Sequence, residues 1–462
     1  MYNVKSLYKG EEMKKAIRLI GVILVMAMMV ASFAACGSST EDSKQTQSSS
    51  STTGNSKSSE PKEISFWIQK YGSDPAAQDK MLKDMTADFE SKTGIKVKYS
   101  IVDWGQALNK YTLACTGGEA PDVADVFFTA SLIKMGGEKF GPMQIDDVAK
   151  EMGEDSWFQA GKDEAYQNGH WYGIPWRFDT RVLLYNKDYF AEAGVTSPPK
   201  TWDEMIETGK KLTKTDAKGN ITRAGLAWFN MMARFDQTWF ALLGGAGGNL
   251  MNEGYTKPDF NTQAGIDSLS LMRDINVKHK IAVPNMVDPS YDPVSEFMAG
   301  KVAMVFGVTA ETKNNIEKQA PQLKGKFASA VMPSKSGEGP SSIAFSAPIV
   351  VFKTTKNADA SKQWVKYFCS PENQLKASKT LSLLNSSKAV MSDTYFSQDE
   401  WLNAFVNQSE RAVPGDIPVA QWSQIDAWPN GPLPTLCTEV IAGKDIQKSI
   451  DKAVSEFEKL MK

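Results

Sequence analysis

Histidine is nearly missing from this chain: it occurs twice in 462 residues, as His170 and His279. A zinc site or a Ser-His-Asp triad would have to be assembled around one of them. Neither stands in a His-Glu-x-x-His or Gly-x-Ser-x-Gly context. Cysteine is scarce too. Besides Cys36 there are Cys115, Cys369 and Cys437, an odd number without short metal-ligand spacing, which reads as buried or partly buried thiols with one disulfide left open. No Walker-type or Gly-x-Gly-x-x-Gly loop is present. The glycine-rich run Leu243-Gly-Gly-Ala-Gly-Gly-Asn249 lacks both that spacing and a Lys-Ser/Thr end, so it reads as a tight turn. Nor is there a basic surplus, since 52 Lys and Arg stand against 54 Asp and Glu for a net charge of −2. Nothing in that balance attracts nucleic acid. No catalytic residue, metal or cofactor is expected.

What is present begins at the N-terminus. Lys14, Lys15 and Arg18 precede an apolar run over residues 19–30, followed by Ala31-Ser-Phe-Ala-Ala-Cys36-Gly. A charged start, a short apolar run and small residues make a secretory leader, and the run is well short of the ~20 residues that span a bilayer. Cysteine directly after Ala34-Ala35 resembles the lipobox of bacterial lipoproteins, with Phe33 where Leu is usual. The resemblance implies removal of residues 1–35 and acylation of Cys36; a soluble protein cut near Ala35 is the alternative. Residues 36–61 are dominated by Ser and Thr and contain no aromatic side chain. They cannot bury enough surface to offset ordering entropy and read as a flexible tether. Loss of a leader with five basic and two acidic side chains leaves a mature charge of −2 − 3 = −5.

About 400 residues follow the tether, too many for one ordinary core, which indicates two lobes. Ile64–Ile68 reads as a strand. Met81, Leu82, Met85 and Phe89 recur at helical spacing ahead of Gly94, and the stretch Ile95–Ile101 alternates as a half-buried strand should. Strand, helix and strand in that order imply parallel pairing with right-handed crossovers. Thr201-Trp-Asp-Glu204 has capping-box spacing. Ile446, Ile450, Val454, Phe457 and Met461 give the C-terminal helix one apolar face.

The run Tyr172-Gly-Ile-Pro-Trp-Arg-Phe-Asp179-Thr-Arg-Val-Leu-Leu-Tyr185-Asn-Lys-Asp-Tyr-Phe190, continued through Pro198-Pro-Lys-Thr-Trp-Asp-Glu204, resembles the bacterial extracellular solute-binding proteins of family 1. These are the maltose-binding-like receptors of ATP-driven (ABC) importers. Pro121-Asp-Val, Phe297-Met-Ala-Gly-Lys301-Val-Ala-Met304, Ser370-Pro-Glu-Asn-Gln374 and Ala442-Gly-Lys-Asp445 agree in the same order. The resemblance implies an α/β, two-lobed periplasmic-binding-protein-like fold, each lobe a mostly parallel sheet flanked by helices. By the same resemblance lobe I spans 62–178 and 345–385, and lobe II spans 179–344 and 386–462. It also implies a monomeric receptor that takes a sugar or oligosaccharide to membrane permease subunits and meets the membrane only through its lipid.

A sugar presents hydroxyls at its edge and C–H faces above and below, so its site needs fixed carboxylates, amides or Arg and aromatic floors. Twelve tryptophans supply candidates. Strand ends offer Trp67, Gln69, Asp103, Trp104, Asp125 and Phe127; the first crossing offers Trp176, Arg177 and Asp179. Trp228, Asn230, Trp239 and Gly244 come from the second lobe, and Arg411, Trp422 and Trp428 from a late Pro-rich region. Trp67 is equally compatible with core, Asp103 with a helix cap, and the pair Arg177–Asp179 with a structural hinge contact. A surface glycoside hydrolase would also gather aromatics and carboxylates in a cleft, and a receptor of this fold for a non-sugar solute is a further alternative. A doubly charged phosphate ester would call for clustered Arg or Lys, which the candidates lack.

Overall fold

The computed structural model describes residues 63–72, 74–230, 235–288 and 290–462, so the leader, Cys36 and the tether lie outside the described residues. The strand Glu63–Gln69 opens the larger sheet. Asp74 caps the next helix, Pro75–Thr93, by accepting from Ala76 N, and proline at its first position needs no N–H partner. Met81, Leu82, Met85 and Phe89 form the buried stripe, and Gly94, at φ 74°, ends the helix where a side chain would be strained. The chain then returns as Lys96–Val102, parallel to the first strand.

Six strands follow in the spatial order Leu384–Asn385, Gly173–Thr180, Ser342–Val351, Val123–Asp125, Glu63–Gln69, Lys96–Val102, with Ala412–Pro414 beside the start of Ser342–Val351. The smaller sheet runs Ala227–Trp228, Met304–Val308, Val182–Asn186, Phe327–Ala330. Arg181 alone separates Gly173–Thr180 in the first sheet from Val182–Asn186 in the second. One extended run thus carries the chain from lobe to lobe. Neither sheet is mostly parallel, which corrects the expectation. Ser342–Val351 lies antiparallel to both Gly173–Thr180 and Val123–Asp125, and Val182–Asn186 is antiparallel to both of its neighbours. A strand leaving a lobe and the strand re-entering it run in opposite directions, so side by side they pair antiparallel.

Each lobe has its own core. Phe66, Phe89, Trp176, Trp364 and Phe368 pack together in the first. The second gathers Trp228, Trp239, Phe260 and Phe306 and is closed by the helices Pro432–Ile441 and Ile446–Met461. The capping box is complete: Glu204 N donates to Thr201 Oγ1 at 3.1 Å and Thr201 N to Glu204 Oε2 at 3.2 Å, an arrangement that contributes about 1 kcal/mol. The glycine-rich run ends a helix and then makes the turn read in the sequence: Leu243, Gly244 and Gly245 complete the helix Asp236–Gly245, and Ala246 and Gly247, the latter at φ 80°, turn the chain. A Cβ on Gly244 would stand 2.8 Å from Val413 Cγ1. Glycine there lets the helix close onto the strand Ala412–Pro414. Cys115, Cys369 and Cys437 are buried.

Candidate functional site

Alternation along the crossing strand sets Arg177, Asp179 and Arg181 at every second position, and hence on one side of the chain. Asp179 Oδ2 accepts from Arg181 Nη1 at 2.6 Å and from Arg177 Nη2 at 3.1 Å. Burial alone would raise the Asp179 carboxyl, but the two guanidinium groups outweigh it and hold the acid below its ordinary range. Phe345 is the residue paired with Asp179 on the neighbouring strand, and its ring centroid lies 5.3 Å from Arg181 Cζ.

Both lobes reach this cluster. From the first, Tyr71 and Trp104 stack on the Arg177 guanidinium, with Cζ 4.9 and 5.7 Å from their ring centroids. From the second come Gln237, whose Oε1 is 3.4 Å from Arg181 Nη2, and Glu311, which precedes the helix Thr312–Gln319. Burial and the nearby Asp179 raise the Glu311 carboxyl, against the opposing pull of Arg177 and Arg181. Four charged groups therefore share one partly dehydrated junction. In such a medium their mutual interactions are strengthened and hold them firmly.

Beneath the cluster lies a buried acid. Asp125 accepts from Trp176 Nε1 at 3.1 Å, from Tyr71 OH at 2.7 Å and from the backbone of Gln69 at 3.4 Å, while burial pushes its carboxyl up to about 6. Tyr71 OH is also 2.6 Å from Gln69 Oε1. One phenol proton cannot serve two acceptors, so the set is best satisfied with the Gln69 amide turned to present its NH2. Trp176 is 1% exposed and packs edge-on against Tyr71 and Phe368. Its indole positions Asp125 instead of flooring an open cleft. The ring that does reach solvent is Trp104, 40% exposed, tied by Nε1 to Lys70 O and leaning on Phe127. Asp103 caps the Trp104 helix through Gly105 N, and half-buried Trp67 lies under Lys110 Nζ.

The remaining candidates fall elsewhere. Trp228 and Trp239 lie inside the second core, donating to Met272 O and Ser268 Oγ; Asn230 is buried and donates to Met286 O. Trp422 is buried too and donates to Asp416 Oδ1. Arg411 braces a loop through Gly337 O and Gly339 O. Trp428 is exposed, and Gly244 serves the helix–strand approach already described. Tyr71, Arg181, Glu311 and Phe345 escaped sequence reasoning. Arg181 carried a signal, the continued alternation past Asp179; the others carried none.

A second contact joins the lobes nearby: Ser131 Oγ donates to Ala420 O at 3.0 Å. Beside it, within the first lobe, Glu164 Oε1 accepts from Thr129 N at 2.6 Å. Burial, with Asp416 close by, pushes the Glu164 carboxyl up to about 8. Asp163, Glu164, Phe345, Pro414 and Asp416 line a small cavity there.

The family model of the bacterial extracellular solute-binding proteins matches residues 72–375. The chain is 25% identical over 458 residues to the diacetylchitobiose binding protein DasA of Streptomyces coelicolor, covering 96% of this chain and 98% of that one. Its fold is similar to that of the sugar-binding protein MalE from Xanthomonas citri, with a TM-score of 0.73 at 21% identity over 86% of this chain and 97% of the other. A solute-binding protein of Thermotoga lettingae, solved with alpha-D-tagatose, gives a TM-score of 0.71 at 23% identity over 87% and 100%.

Proposed function

The chain belongs to the bacterial extracellular solute-binding proteins, and from that membership we propose that it is the lipid-anchored receptor of an ABC importer, capturing a carbohydrate between two hinged lobes. In this reading residues 1–35 are removed, Cys36 carries the lipid, and residues 36–61 tether a monomeric domain to the outer face of the cell membrane. Lobe I takes 62–178 and 345–385, lobe II 179–344 and 386–462. The ligand is an oligosaccharide, which the closed receptor hands to the permease.

The observation that carries the proposal is the junction of Arg177, Asp179, Arg181 and Glu311 under Tyr71 and Trp104, where both lobes contribute. Planar guanidinium groups and carboxylates fixed by each other suit paired sugar hydroxyls, and Trp104 offers an exposed ring for a C–H face. DasA and MalE, whose names state sugar cargoes, support carbohydrate over other solutes. Binding is all that this role requires of the chain.

Isothermal titration of the purified protein with maltose, diacetylchitobiose and glycerol 3-phosphate tests the reading. Heat from a neutral sugar is expected, with a stability gain of about 2.7 kcal/mol at a hundred times the dissociation constant. Binding of glycerol 3-phosphate alone would replace the cargo, and cleavage of an oligosaccharide during the titration would replace the receptor by a hydrolase.

A further inference from the structure

Where the lobes meet beside Ser131 and Ala420, acids face one another. The helix Gln159–Ala165 belongs to the first lobe, with Ala165 in its core, and brings Asp163 and Glu164. The segment 415–421 belongs to the second, with Ile417 and Val419 in its core, and brings Asp416. Both sides are fixed. Gly415 N donates to Ala344 O at 2.7 Å, and Asp416 Oδ1 accepts from Trp422 Nε1 at 2.8 Å. A Cβ on Gly415 would run into the Phe345 ring, so glycine is what lets the segment lie this close to the strand Ser342–Val351. Glu164 is held by Thr129 N, and two residues further on Ser131 Oγ crosses to Ala420 O.

The space enclosed between the two sides is about 20 Å³, lined by Asp163, Glu164, Phe345, Pro414, Asp416 and Pro418. A single water needs at least ~10–15 Å³, so the space is far too small to hydrate several carboxylates. The charged groups nearby are turned to other partners or to water. The strand Ser342–Val351 carries no ionisable side chain, and Arg177 and Asp179, on Gly173–Thr180, bind each other at the junction. Lys162 reaches Asp155; Tyr166 and, on the helix Thr129–Phe140, Lys134, Glu138 and Lys139 are exposed. Burial and then Asp416 raise the Glu164 carboxyl, outweighing the Thr129 N–H. Charge on both Glu164 and Asp416 is therefore compatible with the lobes apart, where water reaches them, and costly with the lobes together.

We propose that this meeting of acids is a proton-operated clasp: closing the lobes takes one proton from solvent onto the Glu164–Asp416 pair, opening returns it, and acidity favours the closed receptor. The inference rests on the hinged-lobe part of the proposed function and not on its cargo. It acts on closure itself, so it would tune the capture of whichever solute the lobes enclose. The carboxyl is raised in the closed state, so closure is favoured fully below ~4.5 and is lost as pH rises through about 8. One proton per closure changes the closed-to-open ratio by up to about tenfold per pH unit in that window.

The test is a distance measurement between spin labels on Glu138→Cys and Glu253→Cys, one exposed position in each lobe, in unliganded protein carrying Cys36→Ser, from pH 5 to 9. The remaining cysteines are buried, and thermal unfolding controls for folding. The short-distance population should dominate at pH 5 and give way to a longer one as pH rises. Glu164→Gln should stay closed across the range, and Asp416→Asn, which keeps an acceptor for Trp422, should stay closed to a higher pH than the parent. Ser131→Ala should lower the closed population at every pH and keep the slope. A closed-to-open ratio independent of pH overturns the clasp, as does a slope that survives unchanged in both Glu164→Gln and Asp416→Asn. One distance unmoved by pH, by Ser131→Ala and by maltose or diacetylchitobiose overturns the hinge as well, and the proposed receptor with it.

Discussion

Asp179→Asn probes the crossing between the lobes most directly. A single oxygen, Oδ2, holds Arg181 at 2.6 Å and Arg177 at 3.1 Å, and the three side chains keep 6%, 12% and 15% of their surface exposed. Asparagine has the same shape and retains an acceptor for Arg181. It leaves two guanidinium groups with Glu311 and, for Arg177, Asp125 as the nearby acids. Removing one partner of a buried ion pair costs about 3–5 kcal/mol. Residual solvent and partial compensation by Glu311 bring the expectation to about 2–3 kcal/mol, read by chemical denaturation of the unliganded protein near neutral pH. The pH dependence carries a sign as well. Because the folded Asp179 carboxyl is held below its ordinary value, its stabilisation is complete above about pH 4 and is lost as pH falls through the lower folded value. Wild type should therefore lose stability faster than the variant on acidification. A destabilisation below about 0.5 kcal/mol, within the range of an ordinary surface substitution, would refute the reasoning. So would acid limbs that run parallel.

Four further outcomes are expected. Trp176→Ala should lower unfolding stability by about 3–5 kcal/mol, because the ring is core and its N–H holds Asp125; Trp104→Ala should instead leave stability within about 1 kcal/mol and weaken sugar binding by about 2 kcal/mol, roughly thirtyfold. Paired melts and titrations separate the two. Glu164→Gln should flatten the pH profile between about 4.5 and 8: the unfolded chain releases this proton first, so wild type becomes less stable as pH rises through that window, by a few kcal/mol at most. Profiles of equal slope would place Glu164 in water. Cys36→Ser should move the protein from the membrane to the soluble fraction, and a variant still on the membrane beside a lipid-free wild type would end the anchor proposal.

How much of this was legible depended on how locally each feature is determined. Asp74, Gly94, Thr201 and Glu204 act within one turn of their own helix, so the spacing that announces them is the spacing that works. The crossing strand was legible for a related reason. An extended run with Arg177 and Asp179 at alternate positions has to place both on one side, wherever the lobes end up. Tryptophan behaves differently. An indole reads the same in sequence whether it faces a cleft or a core, and what decides is a distant partner: Met272 O for Trp228, Ser268 Oγ for Trp239, Asp125 for Trp176. Most buried N–H groups find such partners, Trp202 and Trp364 being exceptions here, so a chain rich in tryptophan spends many of them on core positions before any is left for a ligand. Trp104 and Trp428 are the two that stay exposed. The charged junction lies beyond local reasoning altogether. Tyr71, Arg177 and Glu311 are brought together by strand order and by the return of the chain along Ser342–Val351, and no segment on its own records that meeting. A junction divided between two lobes has to be divided in the sequence as well.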